Sequence, residues 1–161
     1  MKKLMIVTLV AVLGICLAGN TIAAAPEGAN KEECVAKCKA AAEMIAKDGL
    51  EAAIAEIGKK DGKFVWKDTY VFLMDLNGKM LAHPVKPALT EKPDLLGVTD
   101  KNKEKPKMIF VEFVNAAKGE KGEGWVDYMW PKPGEEAPSL KDTYIYKVPG
   151  KDLFTGAGIY K

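Results

Sequence analysis

The residues able to do chemistry in this chain are few. His83 is the one histidine, three cysteines stand at 16, 34 and 38, and no arginine occurs anywhere. Histidine is the side chain whose ordinary pKa, near 6.5, makes it both donor and acceptor at neutral pH. His83 closes the stretch YVFLMDLNGKMLAHP, residues 70–84. It reads either as a donor to a bound anion or as a satisfied histidine at a strand end. Without a guanidinium fork, an anionic ligand must be held by lysine, histidine, tyrosine, tryptophan or backbone N–H groups. One histidine and two neighbouring cysteines do not make a four-ligand metal site, so no metal is expected. Asp75, Glu112 and Asp127 are carboxylates, but nothing in their spacing sets two of them around one cleft. G-x-S-x-G, H-E-x-x-H, C-x-x-C and a phosphate-binding glycine loop are all absent, which argues against an enzyme and against a cofactor.

The N-terminus reads as a processing segment. Lys2-Lys3 precede an apolar run over residues 4–18, and Ala23-Ala24-Ala25 supply small residues for cleavage. A run of about 15 residues falls short of the roughly 20 needed to span a bilayer. Residues 1–25 are therefore expected to be a cleaved secretory signal, and the product periplasmic or secreted. Losing Lys2 and Lys3 brings the lysines level with the 22 acidic residues. A neutral domain offers no electrostatic case for nucleic acid or an anionic membrane.

Cys16 leaves with the signal. Cys34 and Cys38 fall on a predicted helix over 31–46, with Asn30 as N-cap, Glu33 three residues on, and Val35, Cys38, Ala42 and Ile45 on one face. Spacing of four on a helix puts the two Cα atoms about 6 Å apart, within disulfide range. A local disulfide, two buried free thiols and an intermolecular bridge all fit this pattern.

These groups must be positioned by the elements around them. Asp48-Gly49 breaks the first helix, and Leu50, Ala53, Ile54 and Ile57 restart the helical period. Strand patterning follows at Trp66 and over 70–74. Asn77-Gly78 predicts a type I′ hairpin turn, which requires positive φ at both central residues, with a short return strand over 79–83. Residues 84–100 carry Pro84, Pro87 and Pro93 without periodicity, and loops of such length commonly serve as lids or binding loops. A helix is expected over 105–117, with Pro106 in its first turn and Met108, Val111 and Val114 inward. Strands follow over 124–130, 142–148 and 153–160. Gly156 and Gly158 in the last one suggest a bulge or a close backbone approach. Helices to one side of an antiparallel sheet define an α+β fold.

The pieces at 70–75 with Asn77-Gly78, Leu81-Ala82-His83-Pro84, GWVDYMWP at 124–131, 141–144 and GAGIY at 156–160, in that order and spacing, resemble a single Cache domain, a PAS-like small-ligand sensor module. The likeness covers about residues 64–160. It implies a domain over 26–161, with a helical part at 30–58 packed beside a five- or six-stranded antiparallel sheet and a ligand-binding lobe at 64–160. It also implies a pocket between the sheet and the loop-plus-helix, taking a small organic acid such as acetate, propionate, lactate or pyruvate. Lys141 occupies the family's basic position. Tyr128 and Trp130 share a strand face with Val126 and are expected on the pocket or in the core. Tyr144 and Tyr146 oppose Thr143 and Ile145, and Tyr144 is taken as the pocket residue. Most family members are outer parts of membrane receptors. A chain that stops at Lys161 is instead expected to act as a free binding protein. Its partner would be a separate sensor kinase, chemoreceptor or transporter. The competing expectation is a ligand-free module that homodimerises or docks on a membrane sensor.

Overall fold

The computed structural model describes residues 27–161, so the expected signal segment and its cleavage site lie outside the described residues. The chain opens with helix α1 (Lys31–Asp48). Its start is fixed by a capping box: the Asn30 side chain accepts from the Glu33 N–H, and the Glu33 carboxylate accepts from the Asn30 N–H. Gly49, at φ 89°, separates α1 from α2 (Leu50–Ile57), a conformation that costs glycine nothing. Among the described residues no helix is long and apolar enough to cross a membrane.

Six antiparallel strands follow: β1 (Val65–Trp66), β2 (Thr69–Asp75), β3 (Met80–Ala82), β4 (Glu123–Pro131), β5 (Pro138–Lys147) and β6 (Leu153–Tyr160). Their order is β1-β2-β6-β5-β4, with β3 paired to β2. Helices α1 and α2 cover one face. The other face is covered by α3 (Ile109–Lys118) and by the segment between β3 and α3, which holds a short 3-10 turn (Pro87–Glu91). The expected α+β class and the six-stranded sheet are both present.

Alternation along each strand divides the interior in two. Tyr70, Phe72 and Met74 of β2 join Tyr128, Trp130, Ile145 and Phe154 in one cluster with α3. Val71 and Leu73 join Tyr144, Ala157 and the Cys34, Cys38 and Ile45 face of α1 in the other.

Two local expectations need correction. In the β2–β3 hairpin only Gly78 has positive φ, at 86°. The Gly78 N–H donates to the Asp75 carbonyl, the Asp75 carboxylate accepts from the Asn77 and Lys79 N–H groups, and the register slips beside Met74. This is a turn closed by a bulge glycine rather than type I′. Asp75 stabilises it by taking N–H groups that a two-residue turn would have left to the ladder. Helix α3 begins at Ile109, not 105. Buried Asp100 accepts from the Asn102, Lys107 and Met129 N–H groups, which holds residues 100–107 in a loop. Pro106 thus precedes the helix, Met108 is exposed, and the inward set is Ile109, Phe110, Phe113, Val114 and Ala117.

Candidate functional site

The site begins with two glycines of β6. A Cβ on Gly156 would overlap the Phe72 ring. One on Gly158 would overlap Thr143 Oγ1 and approach Lys141 Cε to 2.9 Å. Close approach, not a bulge, is what these glycines provide, and the β5–β6 register runs unbroken past them. The Lys141 stem therefore lies across β6 and reaches β2. Its Nζ sits 4.2 Å from the Tyr70 ring centroid and 4.5 Å from that of Tyr160. It donates to Tyr160 Oη at 3.0 Å, and Tyr160 donates in turn to the Pro131 carbonyl at 3.0 Å. Lys141 is 0% exposed, and among the described residues no carboxylate pairs with it. Burial of an uncompensated ammonium pushes its pKa down to about 7; nearby Lys86 adds to this, while Cys34 and Asp68 oppose it.

His83 touches Tyr70 from the β3 side, with ring centroids 4.6 Å apart. Pro84 ends the strand, and the chain folds back so that His83 Nδ1 accepts the Val85 N–H at 3.3 Å and the Lys86 N–H at 2.9 Å. A ring accepting at Nδ1 carries its proton on Nε2. Burial, then Lys141 and Lys86, push its pKa down to about 3. Without a ligand the side chain is thus a neutral Nε2–H donor, with no protein acceptor for that proton among the described residues.

Beside His83 lies a narrow cavity of about 10 Å³, room for about one water molecule and far below the roughly 300–1,000 Å³ typical for drug-sized ligands, so a larger ligand must displace part of the lining. Tyr70 and Phe72 form its floor, Tyr128 and Trp130 one wall, Phe113 of α3 another, and Leu89 of the 3-10 turn its cover. Tyr128 Oη shares a hydrogen bond with Thr143 Oγ1 at 3.0 Å. Lys86 Nζ lies 4.5 Å over the Trp130 ring, placing a second cation at the rim. The lining is aromatic and apolar, and no acid lines it.

The structure thus gathers His83, Tyr128 and Trp130 on one cavity, with Lys141 one ring removed, behind Tyr70. Tyr144 is elsewhere. It faces α1, packs 5.4 Å from Trp125, and donates to the Glu123 carboxylate at 2.5 Å. The reason is arithmetic: residues three apart on a strand face opposite ways, so Lys141 and Tyr144 cannot share a pocket face. Tyr70 and Tyr160 were not anticipated. Tyr70 shares its face with Phe72, and Tyr160 with Gly156 and Gly158, so alternation alone would have found both. Burial raises the Tyr70 phenol to about 12.

Cys34 and Cys38 are two buried free thiols. Burial pushes Cys34 up to about 12 and Cys38 higher still. Neither exposes a sulfur to a second chain. Among the described residues no cluster of three metal-ligating side chains occurs. Asp75 is committed to its turn, Asp127 pairs with Lys107 at 2.7 Å, and Glu112 lies on α3 outside the cavity lining, so the carboxylates do not converge on the cavity.

Comparison with known proteins places these features in context. A family profile described as a Cache domain matches residues 51–161. The methyl-accepting chemotaxis protein McpP of Pseudomonas putida is 34% identical over 93 residues, covering 58% of this chain and 16% of that protein. The chain thus spans about a sixth of the length of this curated relative. Three solved structures share the fold. A periplasmic sensor domain of a chemotaxis protein is 27% identical with TM-score 0.61, over 80% of this chain and 88% of that one. A Cache chemosensory domain described for carboxylic acid recognition is 25% identical with TM-score 0.65, over 80% and 91%. A methyl-accepting chemotaxis protein of Vibrio parahaemolyticus is 26% identical with TM-score 0.65, over 81% and 87%.

Proposed function

The chain belongs to the Cache domain family, and from that premise we propose that it is an extracytoplasmic sensor domain binding a short monocarboxylate of the size of acetate, propionate, lactate or pyruvate. One observation carries this reading: a fully buried ammonium, Lys141, stands without a carboxylate partner beside a small aromatic cavity. A buried unpaired charge is costly, and an anion delivered to it removes that cost. The carboxylate would take the Lys141 ammonium past the edge of the Tyr70 ring, together with the His83 Nε2–H. The short tail would lie against Phe72, Phe113 and Trp130. Carboxylic acid recognition is also described for one structural relative, the Cache chemosensory domain of 25% identity. Bound state would be read by a membrane partner of the chemoreceptor or sensor-kinase type.

The test is thermal shift with acetate, propionate, lactate and pyruvate. A ligand specific to the folded state raises the melting temperature progressively with its concentration. A flat response to all four acids overturns the reading and favours a ligand-free interaction module. Replacing Lys141 and His83 together should abolish the shift; an unchanged shift in the double variant would move the site elsewhere.

A further inference from the structure

We propose that the site takes up its anion together with one proton from solvent, the proton residing on Lys141 Nζ, so that the domain reports the acid–proton pair rather than the anion alone. This rests on the reading of the cavity as a monocarboxylate site. The geometry supplies the reason. Lys141 is wholly enclosed, its stem pinned over Gly158, its Nζ against two tyrosine ring faces with one hydrogen bond to a neutral hydroxyl.

Every element packed around that nitrogen withholds negative charge. Tyr70 of β2, Tyr128 of β4 and Tyr160 of β6 are phenols whose ionisation burial opposes. Cys34 of α1 is a thiol held protonated by burial. After β3 come neutral His83 and cationic Lys86, which disfavours a second positive charge. Asp68, before β2, is the acid in this neighbourhood. Its carboxylate accepts the Ala29 N–H at 2.8 Å, and it forms no ion pair with Lys141. The ammonium is accordingly easy to deprotonate, and pKa near 7 follows from the enclosure.

An arriving carboxylate reverses the balance by supplying the missing counter-charge. The step is RCOO⁻ plus Lys–NH2 plus H⁺ giving the paired RCOO⁻ and Lys–NH3⁺, with no bond made to carbon and no redox change. Below pH 7 the ammonium already exists and affinity is level, as long as the ligand stays ionised, above about pH 5. Above pH 7 each unit of pH should cost close to tenfold in affinity, until the pKa of the bound form is passed.

The experiment is titration calorimetry with acetate and with propionate at pH 6, 7, 8 and 9, each in two buffers of different ionisation enthalpy. The expected result is uptake approaching one proton per ligand at pH 8, near zero at pH 6, and a dissociation constant rising about tenfold from pH 8 to 9. A second measurement needs no variant: NMR titration of the lysine side chains should show one amine whose midpoint moves upward on saturation with acetate. Binding at pH 8 and 9 with unchanged affinity and no proton uptake would overturn the coupling while leaving the carboxylate reading intact. No heat with either acid at any pH would overturn both.

Discussion

At the scale of single residues, the side chains proposed to hold a ligand oppose the stability of the free fold. Lys141 has a folded pKa of about 7 against about 10.4 in an unfolded chain. Between these values the unfolded chain holds more protons, so Lys141 makes stability rise with pH across that window; below pH 7 its full penalty applies. Methionine has similar length and no charge. Lys141→Met should therefore be more stable than the parent at pH 6, on the order of 1–3 kcal/mol, with the gap narrowing toward pH 9. Urea unfolding at pH 6, 7.5 and 9 checks this, and a variant less stable than the parent at pH 6 would show that the ammonium is already compensated. His83 acts at the acid end. Its folded pKa of about 3 lies below the unfolded value, so the unfolded chain gains a proton that the native ring refuses. Stability should fall as pH drops from about 6.5 toward 3, by up to about 1.4 kcal/mol per unit. Asparagine can keep an acceptor for the Val85 and Lys86 N–H groups without titrating. His83→Asn should thus lose less stability than the parent between pH 6 and 4 in the same assay.

At the scale of elements, β6 works as a trough. Its two glycines have ordinary φ, so their role is space and not backbone freedom. Gly158→Ala would drive a Cβ into Thr143 and to 2.7 Å from the Asp142 carbonyl. That carbonyl belongs to β5, which is paired on both sides and cannot retreat. Overpacking of this kind costs about 1–3 kcal/mol, and Gly156→Ala should do the same through the Phe72 ring. Gly97 has no atom within 4 Å of its Cβ position, so Gly97→Ala should change unfolding free energy by less than about 0.5 kcal/mol. Equal effects at all three would refute the trough. The composition of β6 signalled close approach from sequence, because glycine inside a strand has few other uses. The partner was not legible: only the β5–β6 register shows that the crossing side chain is Lys141. Tyr144 illustrates the reverse case. The period of two, applied from Lys141, already excluded it. The start of α3 was hidden for a different reason. Pro106 disfavours the helical region at Lys105 but is tolerated in a first turn, so the local pattern left the start open; Asp100 and the distant Met129 N–H decide the matter through tertiary hydrogen bonds.

At the scale of the whole molecule, one sheet separates two apolar clusters, and the same strands feed both. Tyr70, Phe72 and Met74 alternate with Val71 and Leu73 along β2, so neither cluster can dissolve while the other keeps its strands. The family, the α+β class and the run of six strands were readable because alternation and turn residues are local signals. The cavity was not, since it depends on how residues 84–100 fold over the sheet. Lys79 Nζ, at 2.6 Å from both the Thr90 and Lys92 carbonyls, and the Leu95 N–H, donating to the Gly78 carbonyl, tie that segment to the hairpin. These ties make the cover part of the same cooperative unit as the sheet. The consequence can be measured with two reporters. Replacing Trp66 and Trp125 by phenylalanine leaves Trp130, on the cavity wall, as the fluorescent probe, while far-ultraviolet circular dichroism follows the helices, most of whose length lies on the opposite face. If the shared strands couple the two sides, both signals should unfold at one urea concentration. Saturating acetate should then move both by the same amount, although it touches only one face, because a ligand stabilises everything that must unfold before it is lost. A ligand shift confined to Trp130 would mean that α1 and α2 melt independently of the ligand-binding lobe, and that a signal arriving at the cavity has no rigid path to the N-terminal helix.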